Sequence, residues 1–181
     1  AGWTVAFTVR GGGERARESE AASDRRARAF SLDLLDRGAA DGLAAIIEET
    51  VGPIEALINN AGVRRESLLA MTPDRDWDDV LDTNLGGAFR CCRAVLPKMM
   101  HRRKGSIVNV SSLSAVAGVA GQTAYAASKA GLLGLPPALA REVGNRNIRV
   151  TPVLPGGGST DMPPAISLDV RQPSPPHASP P

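Results

Sequence analysis

An apolar run, Ile107 to Val110, leads into Ser111 and Ser112, then a Ser/Gly/Ala stretch, then a segment rich in Ala, Ser and Lys. That succession constrains the chain to a strand, a serine, a loop and a helix, in that order. On the helix Tyr125 and Lys129 are four residues apart, so they stand on one face, one turn from each other. A free tyrosine ionises near pH ~10, too high for acid–base work at neutral pH, and a neighbouring cation favours the phenolate. Such tuning suits proton transfer, with Ser112 available to hydrogen-bond the oxygen that Tyr125 would protonate. Taken alone, a Tyr/Lys pair at this spacing is commonly a packed ring and a solvated amine, so the surrounding motifs decide.

Those motifs are NNAG at Asn59 to Gly62 after a short apolar strand, Asn84 within DTNLGG, and Pro155 with Gly156 after another strand. Together with Ser112, Tyr125 and Lys129 they resemble the short-chain dehydrogenase/reductase family, from about Ala1 to Met162. The resemblance implies a doubly wound, Rossmann-like parallel α/β sheet. It also implies reversible hydride transfer between a nicotinamide cofactor and a ketone or secondary alcohol. Tyr125 would protonate the carbonyl oxygen, Ser112 would orient it, Lys129 would hold the cofactor ribose, and Asn84 would anchor a water in a proton relay. Asn59, Ala61 and Gly62 would bring backbone close to the cofactor. Asp33 would meet the adenine amino group, and Pro155, Gly156 and Thr160 the nicotinamide. Read from the residues alone, the Asn/Gly cluster is equally a plain turn and Asp33 a cap or turn residue. The wording of GQTAYAASKAGLLG and LAREVGNRNIRV is most similar to 3-oxoacyl-carrier-protein reductases. The implied substrate is therefore a small ketone or an acyl-carrier-protein-bound 3-oxoacyl group. Dehydrogenases of other alcohols or sugars share most of these residues.

The amino-terminal part admits two registers. Gly11, Gly13 and Ala16 after the strand Trp3 to Val9 fit GxGxxA, with Asp33 about 20 residues later, as a dinucleotide cradle would require. In the family, however, two strands separate the cradle strand from the one that NNAG ends, and here only Arg28 to Leu32 intervenes. The resemblance therefore makes Trp3–Val9 the family's second strand, Arg28–Asp33 its third and Ile54–Ile58 its fourth. The first strand and the C-terminal elements are not found, and the chain, which begins with Ala, reads as truncated at both ends. Arg10 then ends the second strand near the adenosine ribose, where a cation suits a 2′-phosphate and favours NADP(H) over NAD(H). A solvated loop arginine is the alternative. Because the family's first strand lies between the second and fourth, the expectation is that Trp3–Val9 pairs directly with Ile54–Ile58, in a sheet of marginal stability. A non-catalytic remnant unable to hold the cofactor is the rival reading.

At 181 residues, with 43% hydrophobic, 22% charged and 3% aromatic content, the chain suits one soluble domain whose core is filled by Ala, Val, Leu and Gly. That domain covers residues 1–162. The tail 163–181 holds seven of the fourteen prolines and is expected to be disordered. A net charge of +2, with no basic block interleaved with aromatics, argues against a nucleic-acid partner. No apolar run approaches the roughly 18 residues of a membrane span, which makes a cytoplasmic protein the default. Adjacent Cys91 and Cys92 read as core residues, and neither they nor His101 and His177 form a metal set. Lys98, Arg102, Arg103 and Lys104 crowd a helix end, which the dipole favours; docking of an acidic carrier protein is a second account. Two long helices, from about Leu85 to Arg103 and from Thr123 to Val143, carry small and apolar faces that imply a homo-oligomer for the full-length parent. Pro136 and Pro137 should kink or break the second, and Pro152 should be poorly tolerated in an internal strand.

Overall fold

The computed structural model describes residues 2–11, 18, 21 and 26–155. Among them the strands are β1 (Val5–Val9), β2 (Ala27–Ser31), β3 (Ala56–Asn59), β4 (Gly105–Val110) and β5 (Ile148–Val153). The helices are α1 (Ala39–Thr50), α2 (Asp74–Leu81), α3 (Gly87–Arg102), the single turn α4 (Ser114–Ala117) and the long α5 (Thr123–Val143). Expected Gly156, Thr160 and the tail 163–181 lie outside the described residues.

Local chemistry accounts for the boundaries. Asp41 sits in the first turn of α1, and Asp74 and Asp76 in that of α2, where carboxylates meet the positive end of the helix dipole. Pro73 precedes α2 in an extended conformation, at a position where its missing N–H costs nothing. Helix α1 stops at Val51 and Gly52, whose amides both donate to the Ile47 carbonyl. Between α2 and α3 the chain makes a π turn, Asp82–Gly86, held by Arg90. The Arg90 guanidinium is buried and donates to the Asp82 carboxylate and to the Asp82 carbonyl, each at 2.8 Å. A side chain at Gly86 would collide with that carboxylate, so the turn requires glycine.

All strand pairs are parallel, in two sheets, β1–β2 and β3–β4–β5. In the larger sheet the strands alternate. Leu57, Asn59, Ile107, Asn109 and Ile148 face inward, whereas Ile58 and Val153 are exposed. The inward face packs against α3 and α5 through a core of Cys92, Val95, Met99, Ile107, Leu139, Val143 and Ile148. Helix α1 joins the layer beside α3, where Glu48 receives two hydrogen bonds from Arg102 at 2.6 and 2.9 Å. The described helices thus cover one face of a parallel, Rossmann-like α/β sheet.

Three expectations are corrected. Trp3–Val9 does not pair with Ile54–Ile58: among the described residues β1 pairs with β2 alone, over five residues, and β3 with β4. Docking of α1 on α3 through Glu48–Arg102 and Asp41–Arg93 fixes the β2–α1 segment, and β1 goes where β2 goes. Helix α5 does not break at Pro136 and Pro137 but runs through both, with Pro136, Leu139 and Val143 buried against the sheet. Packing outweighs the two lost donors. Among the described residues β5, which contains Pro152, is an edge of its sheet rather than an internal strand, and an edge tolerates proline. The basic cluster is largely spent on the fold itself: Arg102 pairs with Glu48, Lys104 with Glu55, and Arg103 donates to the Asn145 carbonyl.

Candidate active site

The loop after β3 and the first turns of α5 border an open cavity of about 200 Å³ lined by Asn60, Gly62, Val63, Arg64, Tyr125 and Lys129. Lys129 is only 4% exposed, and burial holds its ammonium below the usual lysine range. Its Nζ donates to the Val110 carbonyl at 2.8 Å and stands 5.7 Å from the centre of the Tyr125 ring. The helix is anchored from below by Ser111, whose hydroxyl donates to the Lys129 carbonyl at 2.7 Å.

Asn84 lies behind the cavity wall. Its Oδ1 accepts from the Val63 amide at 2.7 Å, while its Nδ2 donates to the Val63 carbonyl at 3.0 Å and to the Ser128 hydroxyl at 2.9 Å. Ser128 in turn donates to the Tyr125 carbonyl. A Cβ at Gly62 would meet Asn84 Oδ1 at 3.1 Å and Lys129 Nζ at 3.5 Å, so glycine allows the loop after β3 to approach both. Ser112 stands on the loop after β4. Its hydroxyl oxygen accepts from the Ser114 amide at 3.2 Å, which leaves its proton to be donated elsewhere.

The other expected residues are spread out. Asn59 points into the interior, donating to Asn109 Oδ1 at 2.8 Å and Cys92 Sγ at 3.3 Å. Burial pushes the Cys92 thiol up to about 11. Ala61 is exposed in the loop, as is Pro155 after β5. Arg10 and Asp33 meet at 3.9 Å at the carboxyl ends of β1 and β2, and Asp33 also caps a turn by accepting from the Leu35 amide. The sequence reading missed Asn60, Arg64, Ser111 and Ser128. The doubled serine before the loop and the small residue between Tyr125 and Lys129 were the available signals for two of them.

The sequence pattern of the short chain dehydrogenase family matches residues 1–170. The chain belongs to that family. Among curated short chain dehydrogenase relatives, 3-oxoacyl-[acyl-carrier-protein] reductase FabG of Chlamydia muridarum is 41% identical over 152 residues, covering 82% of this chain and 61% of the relative. FabG of Staphylococcus aureus (strain Mu50) is 42% identical over 136 residues, covering 74% of this chain and 55% of the relative. The crystal structure of a short-chain dehydrogenase from Streptomyces avermitilis superposes with a TM-score of 0.81 at 37% identity, covering 89% of this chain and 60% of that one. The chain therefore spans a little over half the length of the curated relatives it matches.

Proposed function

We propose that this chain carries the catalytic machinery of an NADPH-dependent reductase that converts a ketone, of the 3-oxoacyl-carrier-protein type, to a secondary alcohol. The observation that carries the reading is one cavity opening onto Tyr125, Lys129 and Gly62, with Asn84 directly behind. The residues fit a dinucleotide. Lys129 has one acceptor in the Val110 carbonyl and so keeps donors for ribose hydroxyls, and Gly62 lines the same cavity. Arg10, about two-thirds exposed and 3.9 Å from Asp33, would meet a 2′-phosphate, which favours NADP(H). Backbone of Asn59, Ala61, Pro155 and Gly156, and the side chain of Thr160, would complete the cradle.

The nicotinamide, when bound, supplies the hydride. Tyr125 gives its phenolic proton to the carbonyl oxygen as that oxygen gains charge, and Ser112 donates a second hydrogen bond that orients it. The Lys129 ammonium offsets the charge left on the phenol oxygen, and Asn84 braces Ser128 and the Tyr125 turn. A cytoplasmic setting and a homo-oligomer of the longer protein, built on the outer faces of α3 and α5, accompany this reading. The absence of pairing between β1 and β3 favours a second reading, a remnant that retains the site but holds the cofactor poorly.

Titration of the purified chain with NADPH and with NADH, followed by nicotinamide fluorescence, separates the two. Saturable binding with NADPH preferred supports the reductase, and no binding of either supports the remnant. In an active chain Tyr125→Phe should lower turnover of a 3-oxoacyl thioester by ~10² to 10⁴ with NADPH binding retained. Near-normal turnover would remove Tyr125 from its role.

A further inference from the structure

Three segments converge beside the site: the loop after β3, which lines the cavity, the loop after β4, which carries Ser112, and the start of α5, which carries Tyr125. Gln122 is the residue they share. It immediately precedes α5 and is 8% exposed. Its Nε2 donates to Glu66 Oε1 at 2.9 Å, and its Oε1 accepts from the Ser114 hydroxyl at 3.2 Å. The Ser114 amide donates to the Ser112 hydroxyl oxygen, so Gln122 is joined through one residue to the serine and stands three residues before the tyrosine. A main-chain bond from the Ser67 amide to the Gly121 carbonyl, at 2.9 Å, runs alongside. Gln122 itself does not line the cavity. An amide suits this point because one planar group gives a donor towards a carboxylate and an acceptor towards a hydroxyl. The charged groups against it are Glu66 and, 3.3 Å from the same carboxylate oxygen, Arg64.

We propose that Gln122 is a positioning residue, whose amide locks the Ser112 loop and the Glu66 segment to the start of the tyrosine helix so that hydroxyl and phenol address one substrate oxygen. Its catalytic consequence rests on the reductase reading, whereas the locking of the loops does not. A displacement of about 1 Å at a reacting group costs up to ~10²-fold in rate, so loosening this joint should act on turnover and leave cofactor affinity alone.

The test compares the wild-type chain with Gln122→Leu, Gln122→Glu and the swap Gln122→Glu/Glu66→Gln, by amide hydrogen exchange and by steady-state reduction of a short 3-oxoacyl thioester with NADPH. Gln122→Leu should speed exchange at Ser67 and across Ser114–Gly118, and lower kcat about 10- to 100-fold at unchanged KM for NADPH. Gln122→Glu should do the same by setting two carboxylates against each other. The swap should recover most of the loss, because the new amide at position 66 donates to the new carboxylate at position 122, which still accepts from Ser114. Wild-type exchange across Ser114–Gly118 in Gln122→Leu, unchanged kcat, or a swap no better than Gln122→Glu would overturn the proposal. If the wild-type chain does not turn over, the reductase reading fails while the exchange comparison still decides the joint. If Gln122→Leu does not fold, the comparison of Gln122→Glu with the swap decides it.

Discussion

Asn84 has its side-chain amide fully engaged inside the protein, with Val63 on one side and Ser128 on the other. Removing it takes this partner from the part-buried Val63 amide and carbonyl and leaves the buried Ser128 hydroxyl with the Tyr125 carbonyl alone. Asn84→Ala should therefore cost about 2 to 4 kcal/mol of stability, whether or not the chain is active, and urea unfolding would read it. A loss below 1 kcal/mol would mean that the loop relaxes around the gap. The spacing of Tyr125 and Lys129 was enough to set them on one helical face, and the cavity does open onto both. What spacing could not supply was depth. A lysine on a helix reads as solvated, and only the Val110 carbonyl and the Ser111 anchor show why this one is 4% exposed. The two asparagines of NNAG were likewise inseparable in the sequence. At a strand end successive residues point to opposite sides, and a four-residue strand gives too little alternation to fix which one turns inward.

At the scale of elements, the strand–serine–loop–helix order was legible because hydrophobic runs and Gly/Asn punctuation are local signals. Proline was misread because its cost depends on surroundings that are not local. Whether β5 is internal or an edge is decided by which strands pair, and whether α5 breaks is decided by how much of it packs. Pro136 is buried, but Pro137 is exposed and gives nothing back for the donor it removes from the Leu133 carbonyl. Pro137→Ala is expected to stabilise the chain by about 1 to 3 kcal/mol, seen as a rise in Tm. An unchanged or lower Tm would mean that proline at this position fixes the unfolded chain as much as it strains the helix. The π turn was invisible for a similar reason. It depends on Arg90 reaching back eight residues to Asp82, a side-chain clasp that no periodicity announces.

For the molecule as a whole, the seam between α1 and α3 ties the two sheets together, and Glu48 is its centre. Burial raises the Glu48 carboxyl, but the Arg102 hydrogen bonds, the Ile54 amide and the charges of Arg102 and Lys98 together outweigh it and hold it below its ordinary value of 4.5. A carboxylate depressed in the folded state adds stability that is fully present above pH 4.5 and is lost as pH falls through its lowered native value. Glu48→Gln should therefore cost about 2 kcal/mol near neutral pH, and the difference from wild type should shrink as unfolding is measured at progressively lower pH below 4.5. A pH-independent difference would mean that the pair acts by packing alone. That the helices among the described residues cover one face of the larger sheet has a practical consequence. Ile58 is 64% exposed, and Val153 and Leu154 are also open to water, so apolar surface is available in the folded state. Anilinonaphthalene sulfonate fluorescence, usually the mark of a loosened globule, would then be bright for the intact fold. The near-ultraviolet dichroism of Tyr125, half-buried on α5 with the Lys129 ammonium 5.7 Å from its ring, is the signal that would separate the two.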